Sequence, residues 1–138
     1  MKKTLIYLWQ LPQNLLGFVM LIFFRAADKT SEMKTRGVLV CFADSMRGGI
    51  SLGRYIFLSS MYCGRSCEDK TVNHELGHCR QSMRLGWLYL PIIGLPSIIH
   101  ACLYKYEPSN PDGYYNFWTE AWADRLGGVR RKIKTGIK

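Results

Sequence analysis

Histidine and acid are scarce in this chain. It has three His and ten Asp plus Glu, against 19 Lys plus Arg, which leaves a net charge of +9. Cysteine occurs five times, an odd number, so no complete disulfide framework is implied. Free thiols or one local disulfide are the plain alternatives. No internal repeat and no low-complexity tract is visible, which excludes a solenoid. No basic stretch carries the interleaved aromatics of an RNA- or DNA-binding motif, so no specific nucleic-acid partner is expected. At 138 residues the chain makes one small domain.

Charge is also missing from two long runs. Leu5 to Phe24 is 20 residues without a charge, with Lys2 and Lys3 before it and Arg25 after it. That is long enough to span a bilayer. It makes no clean signal peptide, because Gln10, Pro12, Gln13 and Asn14 interrupt it and no cleavage site stands out. Its polar residues are ordered: Gln10, Gln13, Asn14 and Gly17 form one stripe of one helix. Such a helix lies in the membrane interface, spans with its stripe against protein, or packs as a core helix. The second run, Leu85 to Tyr104, is broken by Pro91, Gly94 and Pro96, which argues against one straight span. It reads as a short helix, a bend and another short helix.

The expected organisation is an apolar membrane-associated or spanning helix over 1–25, a globular part over 26–128 with an apolar insertion at 85–104, and a basic tail over 129–138. The tail holds five bases and no acid. Bases near a membrane surface attract anionic lipid at about 1 kcal/mol each. Membrane lipid is therefore an expected partner, and membrane association the expected location.

Two of the three histidines stand in His74-Glu75-Leu76-Gly77-His78, an H-E-x-x-H pattern. A random chain of this composition would carry it in only about 0.2% of cases. On a helix, positions i and i+4 share a face, so both imidazoles can hold one metal ion. Neutral imidazole suits zinc, and two of them leave room for a third ligand and a water. Glu75 lies between them and can take a proton from that water. Asp69 or Thr71 caps the start of the helix and Gly86 ends it, predicting a helix from Lys70 to Arg84. Val72, Leu76, Cys79 and Met83 make its apolar stripe. Gly77 inside it costs about 1 kcal/mol relative to Ala, which a close backbone approach near the metal would explain.

The third ligand lies elsewhere. The metzincin extension H-E-x-x-H-x-x-G-x-x-H is absent, since Gln81 and Arg84 replace its Gly and His. Glu120, in Trp118-Thr119-Glu120-Ala121-Trp122-Ala123-Asp124, is the best candidate. Together with the first motif, this stretch resembles the glutamate helix of gluzincins, the thermolysin-like zinc peptidases with a His, His, Glu ligand set. The resemblance implies His74, His78 and Glu120 as ligands and Asp124 as hydrogen-bond partner of a zinc-binding histidine. It implies one zinc per chain, Glu75 as general base and a peptide or protein substrate. It covers two short helices, and the 41 residues between His78 and Glu120 exceed the usual gap.

Three other readings of these residues stay open. Asn110-Pro111-Asp112-Gly113 looks like the second motif of site-2 proteases, intramembrane zinc enzymes, which would make Asp112 the ligand. The charges around both motifs depart from that family. Cys63 and Cys67 could instead close a structural zinc site with His74 and His78, although the central gap is short for a zinc finger. A non-enzymatic zinc-binding membrane protein is the remaining class.

Gly37 to Ala43 and Ile50 to Ser59 are rich in β-branched and aromatic residues and read as strands divided by Arg47-Gly48-Gly49. The expected fold is α+β, a small antiparallel sheet followed by a zinc helix and a glutamate helix. In gluzincins an edge strand pairs with the extended substrate. That resemblance assigns the role to the segment beginning Ile50, Ser51, Leu52. Tyr114, Tyr115 and His100 are candidates for stabilising the oxyanion.

Overall fold

The computed structural model describes residues 3–64 and 69–131. In chain order its main elements are α1 (Lys3–Trp9), α2 (Leu11–Ala27), β1 (Thr30–Thr35), β2 (Val38–Ala43), β3 (Gly49–Leu52), β4 (Tyr55–Ser59), α3 (Lys70–Leu85), α4 (Leu95–Leu103) and α5 (Trp118–Gly127). The class is α+β.

The sheet departs from the antiparallel expectation. It has four strands in the order β1-β2-β4-β3, and β2 pairs with β4 in parallel. Ile50 to Ser59 is not one strand. Gly53, at φ 62, and Arg54 form a two-residue turn that folds it into the β3–β4 hairpin. A positive φ at the first turn position suits a tight hairpin and favours Gly. The chain leaving β2 therefore reaches the sheet edge as β3 before β4 returns to the gap beside β2.

Both faces of the central strands are covered. Val40 and Phe42 of β2, with Ile56 and Leu58 of β4, pack against Val72, Leu76 and Cys79 of α3. The alternate residues Cys41, Ala43 and Phe57 face Leu21 and Phe24 of α2. Side chains alternate with period two along a strand, so burial on both faces calls for an unbroken apolar run. Val-Leu-Val-Cys-Phe-Ala and Tyr-Ile-Phe-Leu-Ser are such runs. Fully burying a side chain such as Phe57 contributes about 1.5–3 kcal/mol.

The N-terminal run is two helices rather than one. Among the described residues no helix is long and apolar enough to cross a membrane. The break falls at Gln10, just before Pro12, which sits in the first turn of α2. Proline has no N–H, so the Leu8 carbonyl four residues back loses its helical donor. The indole N–H of Trp87 donates to Leu8 O instead, at 2.9 Å. The polar stripe faces the protein. Gln10 and Gln13 donate to Ser82 Oγ at 2.7 and 2.9 Å, and Arg54 N donates to Asn14 Oδ1 at 3.0 Å.

The second uncharged run winds through a 3₁₀ turn at Gly86–Leu88, a π turn at Leu90–Gly94 and then α4. Pro91 and Pro96 fall close to the points where the winding changes type; neither can donate to the turn before it, and Leu95 N bonds Leu90 O across the π turn.

Candidate metal centre

Helix α3 begins at an Asp69 cap, whose Oδ1 accepts from Thr71 N at 2.8 Å, and ends at Gly86 with φ 56. Val72, Leu76 and Cys79 fix its buried face on the sheet, while Met83 is exposed. His74, Glu75 and His78 are buried on the same helix.

Helix α5 is held against α3 at two glycines. A Cβ on Gly77 would collide with the backbone of Ala123, and one on Gly127 with the backbone of Asn73. As α3 advances a turn from Asn73 to Gly77, α5 retreats a turn from Gly127 to Ala123, so the helices cross antiparallel. The backbone approach read from Gly77 is real, and its partner is the glutamate helix.

That crossing brings Glu120 and Asp124 to the histidines. Glu120 Oε2 lies 3.1 Å from His74 Nε2 and 3.3 Å from His78 Nε2. His74 Nδ1 lies 2.7 Å from Asp124 Oδ1, and His78 Nδ1 lies 2.7 Å from Gln81 Oε1. The Gln81 amide is oriented by its other end, where Nε2 donates to Thr119 O at 2.8 Å. Both Nδ1 partners are acceptors, so each Nδ1 carries the hydrogen and each Nε2 is left with a lone pair. Two imidazole lone pairs and a carboxylate then point at one another. Buried acceptors facing acceptors require a cation between them. His74, His78 and Glu120 offer ligand atoms within 4.8 Å of one another and could hold a metal ion.

A proton is the alternative cation. Burial pulls the His74 pKa down, but hydrogen bonds with Asp124 and Glu120 outweigh it and raise the pKa to about 9. Burial pushes the Glu120 carboxyl up, yet its bonds to both histidines hold it far below the usual carboxylate range. Burial likewise opposes ionisation of Asp124, and His74 and Arg131 reverse it.

The surroundings form a supporting layer. Ser51 Oγ donates to Glu75 Oε2 at 2.6 Å, and Ser51 O accepts from Tyr89 OH at 3.0 Å. Ser51 thus ties Glu75 to the edge strand β3, with Ile50 and Leu52 on either side. The Tyr115 ring lies edge-on to His74 with centroids 5.0 Å apart. Tyr114 stacks on His100 at 4.7 Å, and His100 Nε2 donates to Tyr114 O at 2.9 Å. His100 also stacks on Phe117 at 4.2 Å, so its ring is part of a small aromatic stack.

Asp112 lies outside the convergent group, 3.7 Å from Arg131 Nη1. Cys63 is a free, exposed thiol, and Cys67 lies outside the described residues. Sequence reasoning missed Gln81 and Arg131. Gln81 sits three residues after His78, a spacing that puts it on the same helix face. Arg131 forks onto Asp124, with Nε 2.6 Å from Oδ2 and Nη2 3.1 Å from Oδ1. Its guanidinium also covers the Tyr115 ring at 3.2 Å.

No protein-family model, curated protein or solved structure matches the chain.

Proposed function

We propose that this chain is a zinc-dependent peptidase of gluzincin type. The observation that carries the reading is the convergence of the His74, His78 and Glu120 lone pairs, with both Nδ1 atoms already committed to acceptors. Two imidazoles and one carboxylate are the donor set of catalytic zinc sites that keep a fourth position for water. Zinc held there supplies a Lewis acid that polarises a carbonyl and lowers the pKa of a water.

The chain's own residues supply the rest. Glu75 takes the proton of the attacking water and hands it to the leaving amine. Asp124 and Gln81 hold the two imidazoles in the tautomer that leaves Nε2 free. Of the three oxyanion candidates, Tyr115 is the one whose ring touches a proposed ligand. Burial raises its pKa, which keeps the phenol a donor. Strand β3 is at the sheet edge, where an extended peptide can add as a further strand.

One observation favours a second reading, metal binding without turnover. Glu75 is only 5% exposed, and its Oε2 is already held by Ser51. The test that separates the two is Glu75→Gln. Zinc content measured by elemental analysis should stay near one per chain, because Glu75 is not a ligand. Cleavage of a broad peptide library should fall by about 10²–10⁴-fold, the usual worth of general acid–base catalysis. Equal cleavage by both forms refutes Glu75 as base. Wild type that binds zinc and cleaves nothing supports the second reading.

A further inference from the structure

Helices α1 and α2 are built inside out. Gln10 and Gln13 are fully buried against α3, and Asn14 meets the β3–β4 turn. Leu15, Leu16, Phe18, Val19, Ile22 and Phe23 point away from the protein, Phe23 with 64% of its surface exposed. A helix facing water has these two sets the other way round. The second uncharged run behaves alike: α4 buries none of its residues, and Leu95, Ile98, Ile99 and Leu103 are exposed.

This is not ordinary surface scatter. Among the described residues 23 large hydrophobic side chains are exposed, of which 11 lie in 5–24 and seven in 85–104. Single exposed apolar residues are normal on any protein, whereas a continuous set marks a binding surface. The two runs are joined at a pair of tryptophans. Trp9 Nε1 donates to Met83 O at 3.1 Å, and Trp87 Nε1 donates to Leu8 O at 2.9 Å. With Leu5 and Leu8 these rings line one shallow apolar depression.

Charge selects the occupant. Neither run contains a charged residue, and every flank is basic: Lys2 and Lys3 then Arg25 around the first, Arg84 then Lys105 around the second. An interface with a soluble protein keeps a polar rim and is only modestly richer in apolar surface than its surroundings. Lipid tails ask for no directional partner, anionic headgroups complement bases at the margin, and tryptophan collects at the headgroup level.

We propose that the outward faces of α1, α2 and residues 87–103 seat the chain in a lipid bilayer, with the flanking bases against anionic headgroups. The proposal stands on this surface alone and is independent of the chemistry at the metal centre.

The test uses the full chain, purified in detergent and reconstituted by detergent removal with phosphatidylcholine vesicles, with and without phosphatidylserine. The protein should float with both vesicle types, more completely with phosphatidylserine, and should resist a high-salt wash. Brominated acyl chains should quench its tryptophan fluorescence, and the Trp9→Phe/Trp87→Phe variant should lose most of that quenching. Phe18→Glu and Phe23→Glu change side chains that project off the protein, so helix content by circular dichroism should hold. Each should weaken vesicle binding at least ~10-fold, since charge is expensive in hydrocarbon. Three results would overturn the proposal. One is a monodisperse, detergent-free chain that ignores vesicles. Another is a stable detergent-free dimer whose tryptophans bromolipid does not quench, which assigns the face to a second copy. The last is binding confined to phosphatidylserine vesicles and stripped by salt, which leaves the bases alone as the contact.

Discussion

Gly77 of α3 meets the backbone of Ala123 of α5 so closely that no side chain fits between them. Glu120 and Asp124 lie on either side of Ala123 along α5, so this one contact sets how near both carboxylates come to the histidines. Gly77→Ala pits two effects against each other. Alanine favours the helix by about 1 kcal/mol. Overpacking costs about 1–3 kcal/mol, and here the obstacle is backbone, which yields less than a side chain. The overpacking wins. We expect Gly77→Ala to keep its helix content by circular dichroism but to bind zinc at least ~10-fold more weakly, comparable to loss of an outer-shell partner. Unchanged zinc affinity by competition with a chelator would show that the crossing does not position the ligands.

Glu120 and Asp112 make a second contrast. Glu120 Oε2 faces both imidazoles, whereas Asp112 pairs with Arg131 and is about one-third exposed. Glu120→Ala should abolish stable metal retention on dialysis. Asp112→Ala should leave it within about twofold, because its contact with Arg131 is long, at 3.7 Å, and Arg131 keeps two shorter bonds to Asp124. The reverse ranking would shift the ligand to Asp112 and revive the site-2 protease resemblance.

Much of this centre was legible because its signals are local. The Asp69 cap, the Gly86 stop and the His74, Glu75, His78 spacing all lie within one helix, where a period of 3.6 reports which residues share a face. The Glu120, Asp124 pair came from the resemblance to the gluzincin glutamate helix, and its spacing of four then placed both on one face. What escaped was non-local or lacked a local mark. Strand β1 is Thr-Ser-Glu-Met-Lys-Thr, a solvent-facing edge with no apolar run, and it forms because β2 supplies its partner. The β3–β4 turn is Gly53-Arg54 rather than an Asn-Gly pair, so a hairpin read as one strand. Parallel pairing of β2 with β4 depends on the path between them, which no periodicity encodes. Gln81 was read as a glycine missing from another family's motif, although it orients His78. Arg131 was counted as one charge of a basic tail, although it grips Asp124.

Arg131 yields a prediction of its own. It holds the carboxylate that holds His74, so it would reach a bound metal only through Asp124 and His74. Arg131→Ala should weaken zinc affinity less than Asp124→Ala, which should cost about 10–100-fold as an outer-shell partner. The double variant should be no weaker than Asp124→Ala alone, since residues in one chain of contacts are not additive. Additive losses by chelator competition would mean that Arg131 acts on the site by another route, such as its packing on Tyr115.

Metal removal should invert the pH dependence of stability. In the metal-free protein the His74 pKa rises from 6.5 to about 9. A group with a raised folded-state pKa stabilises fully below its unfolded value and loses that contribution as pH climbs through the folded value. The EDTA-treated protein should therefore melt at a falling temperature from pH 6.5 to above 9. In the zinc-loaded protein His74 would give its Nε2 lone pair to the metal rather than to that proton. Its melting temperature should hold or rise across the same window, because fewer protons compete for the ligand atoms as pH increases. The gap between the two forms, followed by thermal melts in matched buffers, should thus widen with pH. Parallel curves would mean that metal and proton do not share the His74, His78, Glu120 centre. A metal-free slope that shrinks in Asp124→Asn, and less so in Glu120→Gln, would tie the effect to the two carboxylates that hold His74.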